Sequence, residues 1–177
     1  MYLKKHNQFA LALWVICLFA LPQLSQAQNA WQSIPAQAYQ PGNNQVTPDH
    51  FALFQLDAAA IQQQMQAPSK ILRLPLPDGR MESFRLREVP VLAPELAAKF
   101  PLIKTYAAEG IDQPAAQARI EWTYSGFHAY LAHPRGEIEI EPSGNNGQYW
   151  SYFVADIPES AIDASALSCG AEPATEL

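Results

Sequence analysis

Alternation of apolar and polar residues between Ala118 and Trp150 constrains this chain more than any other feature. Ile120, Trp122 and Tyr124 alternate with Arg119, Glu121 and Thr123. Phe127, Ala129 and Leu131 alternate with His128, Tyr130 and Ala132, and Ile138 and Ile140 with Glu137, Glu139 and Glu141. A repeat of two belongs to a strand with one buried and one wet face, because successive side chains leave the pleat on opposite sides. Ser125-Gly126, Pro134-Arg135-Gly136 and Ser143-Gly144-Asn145-Asn146-Gly147 interrupt the pattern with residues suited to tight turns, and Gln148 to Ala155 is again strand-like. The spacing predicts a four-stranded antiparallel meander.

Upstream, Phe51 to Leu56 reads as a short strand, and Asp57 as the N-cap of a helix through Gln66 that Pro68 stops. Lys70 to Leu76 and Met81 to Val91 read as two strands joined at Pro77-Asp78-Gly79. Ala93 to Phe100 predicts a short helix with Pro94 in its first turn, and Leu102 to Ala108 a further strand. Fifteen prolines against eight glycines keep helices short, and 16 % charged residues is too few for a disordered polyelectrolyte or a coiled coil. The expected fold is α+β, mainly β: an antiparallel meander forming a sandwich or partly closed barrel with two short helices. The 177 residues suffice for one domain, placed at 49–157. Residues 28–48, rich in Gln, Asn, Ala and Pro, predict a flexible lead-in, and 158–177 a flexible tail or linker.

Residues 1–27 have the three parts of a secretory signal peptide. Lys4-Lys5 supplies the charge, Phe9 to Leu21 the apolar run, and Ser25-Gln26-Ala27 the small residues before a cleavage site at Ala27. Thirteen residues of helix reach about 20 Å, short of the ~30 Å hydrocarbon core. The expected product is secreted, extracellular or periplasmic, engaging the export machinery and no membrane after cleavage. Its net charge of -6 becomes -8 once Lys4 and Lys5 are gone, which argues against nucleic-acid partners. Cys169 is then the one cysteine left, so no intramolecular disulfide is expected.

Motifs for catalysis are missing. The sequence holds no H-E-x-x-H, G-x-S-x-G, P-loop or G-x-G-x-x-G. His128 and His133 lie five apart, on opposite faces of a strand, and Glu137, Glu139 and Glu141 share a solvated face. Part of the aromatic set Trp122, Tyr124, Tyr130, Trp150 and Tyr152 must pack the core, and an exposed subset would offer a docking platform. The chain reads as a binding or inhibitory module, without catalytic residues or a cofactor of its own.

Two segments carry a resemblance. One is Phe54-Gln55-Leu56-Asp57, a helix, then Leu74-Pro75-Leu76-Pro77-Asp78-Gly79 with Phe84-Arg85. The other runs from Glu88-Val89-Pro90-Val91 through Ala93-Pro94-Glu95-Leu96-Ala97-Ala98-Lys99-Phe100-Pro101, Lys104-Thr105-Tyr106 and Gly110-Ile111-Asp112 to Gly126-Phe127-His128-Ala129. Together, over roughly residues 50–155, they resemble the propeptide of secreted bacterial reprolysin-like (adamalysin-type, M12B-like) zinc metallopeptidases. The resemblance implies a role in folding and latency, with a metallopeptidase catalytic domain as partner in cis or trans and the zinc held there. It also suggests Cys169, in Ser168-Cys169-Gly170, as a thiolate ligand that blocks the zinc's open position. Without that partner, the expectation is a stand-alone exported module binding carbohydrate or peptide.

Overall fold

The computed structural model describes residues 29–41 and 46–159. Its strands are β1 (Trp31–Ile34), β2 (Ala52–Leu56), β3 (Ile71–Pro75), β4 (Met81–Glu88), β5 (Lys104–Gly110), β6 (Gln117–Thr123), β7 (Gly126–His133), β8 (Gly136–Pro142) and β9 (Gln148–Phe153). Helix α1 (Ala58–Gln66) follows β2 and α2 (Pro94–Lys99) follows β4, with single 3-10 turns at Ala36–Ala38 and Val154–Asp156. All strand pairs are antiparallel, in the order β1-β2-β9-β8-β7-β6-β5-β4-β3. The fold is mainly β with two short helices, and of the two expected arrangements it takes the partly closed barrel.

The meander runs unbroken from β3 to β9. Strand β2 then joins its far side, pairing Ala52 with Ser151 and Gln55 with Gln148, and β1 pairs with β2. Helix α1 carries the chain from β2 to β3, at the opposite edge of the sheet. Asp57 caps α1, its carboxylate accepting from the backbone N–H of Ala59 and of Ala60, each at 3.0 Å.

Side chains, not a strand ladder, close the curl. The Trp31 indole N–H on β1 donates to the Arg73 carbonyl on β3 at 3.0 Å. The Ser151 hydroxyl on β9 donates to the Pro75 carbonyl on β3 at 2.9 Å. Two carbonyls of the β3 edge are thereby satisfied, which blunts an edge that would otherwise recruit another strand. The enclosed core holds Leu72 and Leu74 of β3, Phe84 and Leu86 of β4, Ile120, Phe127, Leu131, Ile138 and Ile140 of the meander, and Ile61 and Met65 of α1. Trp31 stands edge-on to Phe127 and Tyr149, with ring centroids 5.5 Å apart in both cases.

The lead-in differs from its sequence reading. Its described part supplies β1, and Trp31 is only 1 % exposed. Beyond β1, two described aromatics lie on the outer face of β9. Tyr39 and Phe51 pack on Trp150 at centroid distances of 5.2 and 5.8 Å, and the Asp49 N–H donates to the Asp156 carbonyl at 2.8 Å. The low hydrophobicity of 28–48 concealed this, because Trp31 and Tyr39 fix the described part while Gln32, Gln37 and Gln40 are exposed. Residues 1–27, read as a signal peptide with its cleavage site at Ala27, and Cys169 lie outside the described residues.

One end of the barrel is fastened by charge. Asp78, in the β3–β4 turn, accepts from the Arg135 guanidinium in the β7–β8 turn at 2.6 Å and from Arg80 at 2.9 Å. Partial burial pushes the Asp78 carboxyl up, but hydrogen bonds from Arg135 and Arg80 outweigh it and leave the group below its ordinary value. Just inside, His133 of β7 lies 3.4 Å from Glu82 of β4. Its Nδ1 accepts the Arg135 backbone N–H at 3.1 Å, so in the neutral ring the proton sits on Nε2, toward Glu82.

Candidate functional site

Alternation leaves the polar residues of the meander on its outer face, and register decides which of them meet. Thr105 pairs with Glu121, and Glu121 with His128. Continuing the β7–β8 register by one residue sets His128 across from Glu141. In the adjoining row Arg119 pairs with Tyr130, Tyr130 with Glu139, and Glu139 with Tyr152. Two cross-strand rows thus place three carboxylates, an imidazole, a guanidinium and two phenols over four neighbouring strands.

This floor opens into a cleft of about 410 Å3, within the size range of small-ligand sites, about 300–1,000 Å3. Arg119, Glu121, His128, Tyr130, Glu139 and Glu141 line it, and Thr105, Val89 and Val91 form one wall. Val89 is held against β5 by its N–H donating to the Thr105 carbonyl at 2.9 Å and by the Thr105 hydroxyl donating back to the Val89 carbonyl. The chain bends at Leu92 and becomes the α2 arm.

Tyr152 of β9 braces two of the lining carboxylates. The Tyr152 hydroxyl oxygen lies 2.6 Å from Glu139 Oε2 and 2.6 Å from Glu141 Oε1. A phenol carries one hydrogen, so it donates to one carboxylate at a time. Burial, then the hydrogen bonds to Glu139 and Glu141, push Tyr152 far above the ordinary phenol value. Tyr130 is also raised, by its hydrogen bond to Glu137, then burial, then the charges of Glu137 and Glu139. At the cleft's other end the Ser125 hydroxyl lies 3.2 Å from His128 Nε2 and 2.6 Å from the Thr123 hydroxyl, so the turn fixes the ring. That turn needs glycine at 126: φ is +118°, and a Cβ there would sit 2.6 Å from the Tyr149 hydroxyl.

Beside the cleft lies an apolar arm. Residues 89–103 link β4 to β5, and α2 within them buries none of its residues. Val91 is 68 % exposed, and Leu96, Phe100 and Leu102 are exposed with it. Ala93 offers no capping side chain, but Pro94 opens the helix, Glu95 stands in its first turn and Lys99 in its last, each favoured by the helix dipole.

The aromatic platform expected from the sequence is divided. Tyr124, at 65 % exposed, and Tyr130 are open to solvent. Trp122 is half-buried, packing on the core and standing edge-on to Phe127 at 6.3 Å. Trp150 and Tyr152 are 1 % and 2 % exposed, so neither ring is available to a docking partner. The lead-in covers Trp150, and both faces of β9 are buried where alternation implied one wet face. Sequence reasoning missed Arg119, Glu121 and His128 as one group. Their alternation held the information, but only the register unites them. His128 and His133 do take opposite faces, one lining the cleft and one inside the barrel.

Among the described residues, no group of three or more His, Cys, Asp or Glu is placed to hold a metal ion, and no helix is long and apolar enough to cross a membrane. No protein-family model, curated protein or solved structure matches this chain.

Proposed function

We propose that this protein is a secreted, non-catalytic docking domain that assists folding and latency of a zinc metallopeptidase of the reprolysin-like kind. The observation that carries the reading is the arm at 89–103. It projects Val91, Leu96, Phe100 and Leu102 into solvent although its own domain has a filled core. A stripe of aliphatic and aromatic side chains on a surface linker is the composition of an interface centre. The same run, Ala93 to Pro101, carries the likeness to metallopeptidase propeptides. In this reading the arm docks beside the partner's cleft, and Cys169 supplies a thiolate to the partner's zinc.

The test is inhibition in trans. Residues 28–177 at micromolar excess inhibit a cognate peptidase domain, and the double variant Leu96→Asp, Phe100→Asp loses at least tenfold in potency. Both positions are exposed, so the variant keeps its thermal midpoint. Undiminished potency in it removes the arm from the interface, and no inhibition by the parent protein removes the reading. Cys169→Ala weakens inhibition if the thiolate reaches zinc.

A second reading, a stand-alone exported module for carbohydrate or peptide, is favoured by the cleft itself, whose carboxylates, guanidinium and exposed Tyr130 ring suit a polar ligand. Quenching or shift of Trp122 fluorescence by glycans, with no effect on any peptidase, selects it.

A further inference from the structure

We propose that the outer cleft receives a basic side chain, a guanidinium or ammonium group, presented by the docked partner. The inference deepens the docking reading and rests on it. Glu121, Glu139 and Glu141 converge on the cleft with Arg119 as the one cationic side chain in its lining that is always charged. None of the three carboxylates forms an ion pair among the described residues. The side chains that meet Glu139 and Glu141 from β9 are aromatic, so no counter-charge reaches them from that strand.

The shape of the lining agrees with the charge. Val89 and Val91 give one wall a hydrocarbon surface, suited to the methylene stem of an arginine or lysine. Glu121 and Glu141 stand on β6 and β8, either side of His128, about 10 Å apart as next-nearest strands. A group with several N–H donors can bond more than one of the lining carboxylates at once, as one neutral hydroxyl does not. Tyr130 adds an exposed aromatic ring at the rim, which attracts a cation over its face. The one hydroxyl hydrogen of Tyr152 leaves Glu139 or Glu141 with acceptor capacity for an incoming donor. The cleft adjoins the arm through Val89 and Val91, so a partner seated on the arm has its own side chains within reach of the carboxylates.

The experiment is a 15N NMR titration of the protein alone, near neutral pH and at low salt, with three probes: acetyl-argininamide, acetyl-citrullinamide and maltose. Citrulline matches arginine in shape and lacks its charge. The expected result is saturable shifts with argininamide, with a Kd on the order of 1 mM for a fragment of this size. These shifts centre on the amides of Glu121, His128, Tyr130 and Glu141, and citrullinamide binds at least tenfold more weakly. Glu121→Gln, on an exposed side chain, weakens argininamide by about fivefold. Salt at 1 M, where the screening length falls to about 3 Å, weakens it further. Equal binding of citrullinamide, shifts centred elsewhere, or no saturable response overturns the proposal, as does maltose binding in the cleft without an arginine response. The titration needs no peptidase, so its failure is distinguishable from failure of the inhibition assay. Inhibition with an unresponsive cleft leaves the arm as the interface and removes the basic side chain.

Discussion

Replacing Trp31 by phenylalanine tests whether the N-terminal strand closes the barrel or merely lies along it. The indole N–H is bonded to the Arg73 carbonyl, 42 residues away, at the seam between the two sheet edges. Phenylalanine keeps an aromatic ring among Phe54, Phe127 and Tyr149 but has no donor. Leaving a buried carbonyl without its partner costs about 1–3 kcal/mol. Losing the second ring's buried carbons adds roughly 1 kcal/mol. The sum, about 2–4 kcal/mol, is a large part of the 5–15 kcal/mol that typically holds a domain together. Urea unfolding followed by far-UV circular dichroism reads the change as a lower midpoint at unchanged slope. Arg73→Ala is the control: the bond uses the Arg73 backbone, its side chain is exposed, and a loss under about 0.5 kcal/mol is expected. A Trp31→Phe loss of that small size would refute the reasoning and return residues 29–34 to the status of a loosely held lead-in.

Two further outcomes follow from the geometry. Tyr106, Tyr130, Tyr149 and Tyr152 are all raised above the ordinary phenol value of 10.0, so the unfolded chain releases these protons first. Stability is therefore full below about pH 10 and falls as pH rises above it. Tyr152→Phe makes that fall shallower by up to ~1.4 kcal/mol per pH unit, and identical slopes in urea midpoints between pH 8 and 11 would contradict it. Gly110→Ala places a Cβ inside the van der Waals contact of the Gln113 carbonyl, a backbone atom that cannot swing aside. A loss of about 2 kcal/mol or more is expected in the same assay, and a neutral result would mean that the 110–116 loop is free to move.

The meander was legible because each strand carries its own instruction. Ile120 against Glu121, or Leu131 against Tyr130, declares which side is wet without reference to any other part of the chain. Asp57 was legible for the same local reason: its carboxylate serves N–H groups two and three residues on. What stayed hidden depends on distant residues. Trp31-Gln32-Ser33-Ile34 is a strand only because β2 lies beside it, and its immediate sequence neighbours are Asn, Ala and Pro, which are poor strand formers. Trp150 looked available because alternation cannot foresee Tyr39 and Phe51 crossing the outer face. The cleft needed the pairing of β6, β7 and β8, which brings Glu121, His128 and Glu141 from three strands into one row. The Val89–Val91 wall needed the hydrogen bonds between Val89 and Thr105 as well.

The placement of β9 also sets a timetable for folding. Strand β2 has its ladder with β9, so residues 52–55 must wait for residues 148–151. Both donors that bridge to the β3 edge, Trp31 and Ser151, come from this late-completed side. A chain emerging N-terminus first can assemble β3 to β8 by neighbour pairing, yet it cannot seal. Until the ninth strand arrives, β1, β2 and α1 are tethered without a sheet to join. High sequence separation of this kind slows folding and lengthens the interval in which strand edges are bare. A chain interrupted between β8 and residue 148 is thus an open sheet with two unsatisfied edges, and the last ladder to form commits the molecule to its closed state.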